Sequence, residues 1–221
     1  MFGRIARRYD LLNGMLSWCQ AQSWRRAAAE LAAPGLNGPA LDVATGTGDL
    51  AFELARLGRG QVVALDFNQE MLALARAKAA ETDWEDRLTF VLGDAHELPF
   101  PDHAFASATI AFGLRNVISP PRAFAELRRV VATGGRIVCL ELVQPSMGLT
   151  AAFYHLYLDR IVPHLGRCVS GDGEAYRYLP ESVRAFLTAR QLQELMEGAG
   201  LRGVWYQTLN WGTVAIHVGC K

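Results

Sequence analysis

Ala40-Leu-Asp-Val-Ala-Thr-Gly-Thr-Gly-Asp-Leu-Ala51 joins a short apolar run to a glycine-rich turn and the start of a helical pattern. Gly46 and Gly48 predict a turn in which the main chain can approach a ligand without a Cβ atom in the way. Asp49 follows where the dipole of a helix N-terminus favours negative charge. The stretch therefore predicts a strand, a turn and a helix whose exposed backbone N–H groups contact a nucleotide-like cofactor.

The glycine turn is compatible with more than one class of protein. Residues 46–51 fit the loose dinucleotide pattern G-x-G-x-x-G/A. Asp66 follows about 20 residues on, at the end of an apolar run, which is the place of a ribose-binding carboxylate in a doubly wound sheet. At this point an NAD-dependent enzyme, an S-adenosylmethionine-dependent enzyme and a ligand-free tight turn all stay open.

Composition favours one globular domain spanning residues 1–221. The chain has 51% hydrophobic and 20% charged residues, which suits a domain with a sizeable core. Its 22 basic and 22 acidic residues give a formal net charge of zero, which argues against nucleic acid as the main partner.

Cysteine and histidine spacing indicates neither a redox motif nor a metal site. Cys19, Cys139, Cys168 and Cys220 lack C-x-x-C spacing and the five histidines form no cluster, so we expect reduced thiols and no metal. The sequence shows no secretory h-region and no run of about 18 apolar residues. We therefore expect a cytoplasmic protein, with any membrane contact peripheral, on the inner face of the cytoplasmic membrane.

The order of the sequence patterns predicts an α/β fold. We expect strands near residues 40–44, 61–66, 88–92, 105–110, 136–142, 202–208 and 213–219, and helices near 49–57, 69–81, 121–132 and 188–199. Gly134-Gly135 is expected to end the third helix. This alternation predicts a doubly wound, mostly parallel seven-stranded sheet with helices on both faces and one antiparallel C-terminal strand. Residues 1–36 are predicted to form a helical cap, and residues 144–182 an insertion on the substrate side.

Polar residues follow two more of the predicted strands. Asp94 and Ala95 end the third strand, where a carboxylate and a backbone N–H would suit the amino group and a ring nitrogen of an adenine. Arg115 and Asn116 follow the fourth strand, where they would contact a second substrate; an arginine on a surface loop is the alternative. The glycine turn, Asp66 and Asp94 then lie on consecutive strand ends, in the order in which one nucleoside would touch them.

Taken together, these motifs resemble the ubiquinone/menaquinone biosynthesis C-methyltransferases, which are S-adenosylmethionine-dependent class I enzymes. The resemblance runs nearly end to end. It rests on Phe2-x-x-Ile-Ala-x-x-Tyr-Asp-x-Leu-Asn13, Trp24-Arg25, residues 41–50, Leu65-Asp-Phe67, Gly93-Asp-Ala95, Phe112-Gly-Leu-Arg-Asn-Val117 and Tyr176-Arg-Tyr-Leu-Pro-Glu-Ser182. The last two blocks are the most specific to the family.

The resemblance implies S-adenosyl-L-methionine as the cofactor and three overlapping sets of site residues. The cofactor-binding set is Asp42, Thr45, Gly46, Thr47, Gly48, Asp66, Phe67, Asp94, Ala95 and Ala111. The substrate-binding set is Tyr9, Asp10, Phe112, Arg115, Asn116, Tyr176 and Tyr178, and the catalytic set is Arg115, Asn116 and Tyr9. Ala111 stands where many family members have a serine, so a hydroxyl contact is lost there.

The implied reaction is C-methylation of the ring of a demethylated polyprenyl quinol, giving menaquinol from demethylmenaquinol and/or the ubiquinol precursor in respiratory quinone biosynthesis. A phenol with a pKa near 10 costs about 4 kcal/mol to ionise at pH 7. Arg115 is the candidate cation that lowers this cost, and Asn116 would orient the ring oxygen. The polyprenyl tail implies peripheral membrane contact, for which residues 153–162 are candidates. A homodimer is compatible with the resemblance.

Two other functions share parts of the pattern. An NAD(P)-dependent oxidoreductase would explain the glycine turn and Asp66, but it leaves the Gly93-Asp-Ala95 and Phe112–Val117 motifs unexplained. A non-catalytic binding or scaffold protein would keep the fold and lose the reaction.

Overall fold

The computed structural model describes residues 20–33, 38–58, 60–145 and 182–221. Its helices are α1 (Ala21–Ala32), α2 (Asp49–Leu57), α3 (Gln69–Ala79), α4 (Pro120–Val130) and α5 (Ala189–Gly198). Its strands are β1 (Ala40–Val43), β2 (Val62–Asp66), β3 (Leu88–Leu92), β4 (Phe105–Ala111), β5 (Val131–Leu142), β6 (Arg202–Leu209) and β7 (Val214–Cys220). Short 3₁₀ turns occupy Glu85–Arg87, Leu114–Asn116 and Asn210–Gly212.

The strands form one seven-stranded sheet in the order β3-β2-β1-β4-β5-β7-β6. Strands β1 to β5 pair in parallel, and β7 runs antiparallel to both β5 and β6. The predicted mostly parallel sheet with one antiparallel C-terminal strand is therefore confirmed. The strand order reverses between β1 and β4, and that switch point is where open α/β sheets bind ligands.

Helices cover both faces of the sheet because each has one apolar side. Helices α4 and α5 bury a cluster with β1 and β4 that includes Phe124, Leu127, Leu192, Met196, Leu41 and Ile110. On the other face, α1 and α2 bury Trp24, Ala28, Leu50 and Leu54 against Val62, Leu140 and Ile216. The two layers hold the carboxyl ends of the central strands in fixed positions.

One predicted boundary is wrong. Helix α4 ends at Val130, and the next strand begins at Val131, so Gly134 and Gly135 lie inside β5 and not at a helix end. A Cβ atom at Gly135 would lie 2.6 Å from the Ala106 carbonyl oxygen, and Gly134 has a φ of +79°. Gly135 therefore has no room for a side chain, whereas Gly134 has open space and a left-handed backbone that favours glycine. Both lie close to the register shift between β4 and β5 at Phe105.

Several predictions fall partly or wholly on residues outside the described ranges. Helix α1 belongs to the predicted cap, but residues 1–19 and 34–37 are outside, as are 146–181 with the apolar segment 153–162. Cys139 and Cys220 are free thiols, whereas Cys19 and Cys168 are not described. Across the described ranges, every helix is too short or too polar to cross a bilayer.

Candidate active site

A cavity lies at the carboxyl ends of β1, β2, β3 and β4 and includes the switch point of the sheet. Eleven of the predicted site residues line it: Asp42, Thr45, Gly46, Thr47, Asp66, Phe67, Asp94, Ala95, Ala111, Phe112 and Asn116. Parallel strands bring them together because all of their carboxyl ends meet at one edge of the sheet.

The glycine turn presents its backbone to this cavity. Gly46 has a φ of +58°, and a Cβ atom added there would meet nothing within 4 Å. Its N–H donates to Asp66 Oδ2 at 2.8 Å, so the turn is tied to the end of β2. Gly48 is not among the described cavity residues, and its predicted contact with the cofactor stays a prediction. With a φ of +90° it precedes α2, and a Cβ atom there would lie 2.7 Å from the Phe52 ring.

Asp66 is buried at the end of β2 and suits a ribose. Oδ2 accepts from Gly46 N–H and Oδ1 accepts from Asn68 N–H at 2.9 Å. Burial raises the pKa of this carboxyl, against backbone hydrogen bonds that lower it. Each carboxylate oxygen has a second lone pair, so Asp66 can accept hydroxyl groups without giving up these contacts.

Asp42 is the most deeply buried acid of the cavity. Its Oδ2 accepts from the Thr45 hydroxyl and its Oδ1 from the Thr109 hydroxyl, both at 2.6 Å. The pKa of Asp42 is raised to about 6, first by burial and also by the Asp66 charge, against the two threonine hydroxyls and the Arg25 charge, which lower it. A cationic ligand group beside Asp42 would offset this cost of burying a charge.

Asp94 and His96 form a fixed pair after β3. His96 N–H donates to Asp94 Oδ1 at 2.8 Å, and the His96 ring nitrogen Nδ1 lies 2.7 Å from the same oxygen. Ser119 N–H donates to His96 Nε2 at 3.0 Å, which places the ring proton on Nδ1. The pKa of Asp94 is lowered, first by the His96 backbone hydrogen bond. His96 thus joins the loops that follow β3 and β4 and is occupied by structural contacts.

The turns after β1 and β4 pack against each other at the centre of the site. Ala44 and Phe112 both have left-handed backbones, with φ of +55° and +53°. A Cβ atom at Gly113 would lie 2.5 Å from the Ala44 Cβ. The glycine of the Phe112–Val117 motif therefore permits this close approach.

Arg115 is placed differently from expectation. It is absent from the described cavity lining, and its side chain is only 8% exposed. The guanidinium pairs with Glu141, which is fully buried on β5, and donates to the Phe112 carbonyl oxygen at 2.8 Å. Glu141 also accepts from Arg115 N–H at 3.2 Å. Glu141 therefore offsets the charge of Arg115, while the next residue, Asn116, faces the cavity.

Four predicted site residues lie outside the described ranges, and one cavity residue, Arg25, was not predicted from the sequence. Tyr9, Asp10, Tyr176 and Tyr178 are not described. Arg25 of α1 lines the cavity, although sequence reasoning gave it no role. Its only sequence signal is its place in the Trp24-Arg25 motif. In the described part of the chain, no three His, Cys, Asp or Glu side chains group as metal ligands.

The charges of the cavity fit S-adenosylmethionine, which carries a sulfonium, an ammonium and a carboxylate. Four aspartates, Asp42, Asp49, Asp66 and Asp94, line the described cavity, and they suit the two cationic groups and the ribose hydroxyls. The open space at Gly46 and the N-terminus of α2 leave room for the backbone of the glycine turn to contact the ligand. The fold and this residue set define a class I S-adenosylmethionine-dependent methyltransferase.

Comparison with known proteins shows the family. The whole chain, residues 1–221, matches the ubiE/COQ5 methyltransferase family, and the chain belongs to that family. It is 48% identical over 220 residues to a demethylmenaquinone methyltransferase of Thermus thermophilus, covering 99% of each protein. It is 42% identical over 225 residues to a ubiquinone/menaquinone biosynthesis C-methyltransferase of Methylobacterium nodulans, covering 100% of this chain and 89% of that protein.

A solved structure supports the fold. A SAM-dependent methyltransferase of Thermotoga maritima has a TM-score of 0.68 and 18% identity, covering 100% of this chain and 97% of that one. At this identity the likeness concerns the fold alone. None of these findings supports the NAD(P)-dependent oxidoreductase.

Proposed function

We propose that this protein methylates a ring carbon of a demethylated polyprenyl quinol, producing menaquinol from demethylmenaquinol and/or the ubiquinol precursor. The observation that carries the proposal is the cavity at the switch point. It combines the predicted nucleoside residues Asp66 and Asp94 with the Phe112–Val117 turn on its far side. The names of the relatives at 48% and 42% identity support the same substrate class.

The chain has to make the ring oxygen anionic, because a phenolate is a far better carbon nucleophile than a phenol. S-adenosylmethionine supplies an electrophilic methyl group when bound. We propose that Asn116, which lines the cavity, orients the ring oxygen with its side chain. Arg115 and Glu141 form a buried ion pair that holds the turn carrying Asn116. Tyr9, Asp10, Tyr176 and Tyr178 stay candidates for closing over the ring and for accepting its proton.

Methyl transfer to a short-chain demethylmenaquinol, assayed anaerobically by mass spectrometry, tests the proposed reaction. The reduced quinol should gain one methyl group and the oxidised quinone should not, because only the quinol has an ionisable hydroxyl. Asn116→Ala should lower kcat by about 100-fold, the loss expected for one oxyanion-orienting group. Its Kd for S-adenosylhomocysteine should stay unchanged. The exposed Gln207→Ala on β6 is the control. Equal methylation of the oxidised quinone, or no methylation of either form, would contradict the proposal.

The polyprenyl tail requires the enzyme to reach a membrane, since each CH₂ left in lipid is worth about 0.8 kcal/mol. Three apolar side chains at the carboxyl edge of the sheet support docking there. Phe67 follows β2, Ile118 follows β4, and Trp211 lies in the turn from β6 to β7; they are 68%, 95% and 84% exposed. We propose that this edge, which also carries the cavity, rests on the bilayer surface.

Flotation with liposomes that contain the quinol tests the docking edge. Ile118→Ser combined with Trp211→Ser should weaken vesicle binding by about tenfold or more, because each buried side chain contributes about 1.5–3 kcal/mol. The KM for a tailless quinol should not change in Trp211→Ser alone, because Trp211 lies outside the described cavity lining, to which Ile118 belongs. Trp205→Ser, an exposed tryptophan within β6, is the matched control. Vesicle binding that is equal for the double variant and the control would remove this edge as the docking surface.

A homodimer is also proposed, and sedimentation equilibrium would test it.

A further inference from the structure

Arg25 is a largely buried cation on the cavity wall whose contacts use few of its hydrogen-bond donors. Its side chain is 11% exposed, and Nη1 lies 3.3 Å from Asp49 Oδ2. Its Cζ lies 5.6 Å from the centroid of the Phe112 ring. A guanidinium has five N–H donors. Besides this ion pair and this ring contact, its charge lies close enough to Asp42 to lower the pKa of that carboxyl.

Asp49 does not depend on Arg25 for a partner. Lys78 Nζ donates to Asp49 Oδ1 at 2.6 Å, a shorter contact than the one that Arg25 makes. Lys78 also donates to the Thr47 hydroxyl at 3.3 Å. Because Lys78 already balances the charge of Asp49, Arg25 can turn donors toward a second anion without leaving a buried carboxylate uncompensated.

The sheet order indicates which part of a ligand lies beside Arg25. Asp94 follows β3 and Asp66 follows β2, so adenine and ribose extend along that half of the sheet. Beyond them lie the turns after β1 and β4, and Arg25 contacts both, through Asp49 and Phe112. The end of the ligand farthest from the adenine therefore lies near Arg25.

The charges of the cavity lining indicate which ligand group lies beside Arg25. In the described lining, Arg25 is the one Lys or Arg side chain, facing four aspartates. The aspartates disfavour a ligand carboxylate in the cavity, and this effect is weakest beside Arg25, where Lys78 compensates Asp49 and the N-terminus of α2 favours negative charge. A guanidinium binds a carboxylate with two parallel N–H···O hydrogen bonds.

We propose that Arg25 binds the carboxylate of S-adenosylmethionine and thereby fixes the amino-acid end of the methyl donor between the turns after β1 and β4. The inference rests on the use of this methyl donor in the proposed function, and it is independent of which quinol is methylated. Arg25 is then a cofactor-binding residue that aligns the sulfonium group toward the Asn116 side of the cavity.

Calorimetric titration with two ligands isolates the carboxylate. Decarboxylated S-adenosylmethionine keeps the sulfonium and the ammonium and lacks only that group. Wild-type protein should bind S-adenosylmethionine about 10- to 100-fold more tightly than the decarboxylated compound, as expected for charge-assisted hydrogen bonds. Arg25→Gln should bring the two Kd values to within about threefold, through weaker binding of S-adenosylmethionine alone. Arg25→Lys should fall between, since it keeps the charge and loses the planar fork.

Arg26→Gln is the matched control, because Arg26 is the next residue of α1 and forms an exposed pair with Glu30. It should leave both Kd values unchanged. Equal weakening of both ligands by Arg25→Gln and by Arg25→Lys would show a structural role and overturn the inference, as would unchanged S-adenosylmethionine binding. Failure of the wild-type protein to bind either ligand would instead contradict the use of this methyl donor.

Discussion

Asp42 is a single residue at which stability and cofactor binding oppose each other. Its carboxyl is fully buried and its pKa is raised to about 6. A raised pKa means that the folded state holds the proton more tightly than the unfolded state. The free energy of unfolding therefore rises as the pH falls from above 6 toward the ordinary value of 3.8, and it is lower when Asp42 is ionised.

Asp42→Asn should raise the free energy of unfolding of the ligand-free protein at pH 8 by up to about 3 kcal/mol. This is the free-energy equivalent of the shift in the pKa of Asp42. Thr109 Oγ1 also lies 3.4 Å from the Leu41 carbonyl oxygen, so its hydroxyl has another acceptor when the carboxylate is replaced. Urea unfolding from pH 5 to 8 measures the difference, which should shrink below pH 6. The exposed Asp83→Asn is the control. A difference that does not depend on pH would refute this reading of Asp42.

The same residue predicts the pH dependence of cofactor binding. Protonation of Asp42 removes a negative charge that faces the cationic end of S-adenosylmethionine. The Kd of the wild-type protein should therefore rise as the pH falls below about 6, whereas Asp42→Asn should bind weakly with little pH dependence. Titration calorimetry at several pH values measures both. Full wild-type affinity in Asp42→Asn would show that the charge is not used.

The close approach of Gly113 to Ala44 predicts how substitutions at these two residues change stability. Gly113→Ala places a Cβ atom 2.5 Å from the Ala44 Cβ and should lower the free energy of unfolding by about 1–3 kcal/mol. Ala44→Gly removes that partner atom at a position with a φ of +55°, where glycine is unstrained. The double variant should therefore recover most of the loss. Additive effects in urea unfolding would show that the two turns are not in contact.

At the scale of elements, the turn after β4 is held by β5. Glu141 of β5 accepts from the Arg115 backbone and guanidinium and from Leu142 N–H, and its own side chain is fully buried. A charged residue on a buried strand is costly unless it is paired. We therefore interpret Glu141 as the residue that fixes the Arg115-Asn116 turn at the cavity.

Glu141→Gln should lower the free energy of unfolding by about 3 kcal/mol, because it leaves the Arg115 charge without its carboxylate. Glu194→Gln is the matched control: Glu194 pairs with Arg190 on the exposed side of α5, where a pair is worth about 0–1 kcal/mol. Chemical denaturation compares the two. Equal small losses would mean that the buried pair contributes no more than a surface pair.

For the whole molecule, the sheet and most of the cavity follow from local sequence signals. Each strand predicted from the sequence lies near an observed strand. Parallel strands necessarily bring their carboxyl ends together at one edge of the sheet. The glycine turn, Asp66 and Asp94 could therefore be placed on one edge without knowing any long-range contact, whereas Asp42 was named only through the family resemblance. Strand β5 begins earlier than predicted, because it includes the glycines that the local pattern assigned to the end of a helix.

Contacts between residues that are distant along the chain and meet only in the folded protein could not be predicted from the sequence. Arg115 and Glu141 are 26 residues apart, on a turn and a neighbouring strand, so the neutralisation of Arg115 is invisible in either segment alone. Arg25 lies on α1, outside the strand alternation, and reaches the cavity because α1 packs on α2. Both depend on how elements pack and not on their local pattern.

A crystal structure with bound S-adenosylhomocysteine tests the central claim most directly. The adenine should lie beside Asp94 and Ala95, the ribose beside Asp66, and the sulfur between the glycine turn and Asn116. A nucleoside bound elsewhere on the molecule, or bound with its sulfur turned away from Phe112 and Asn116, would contradict the account.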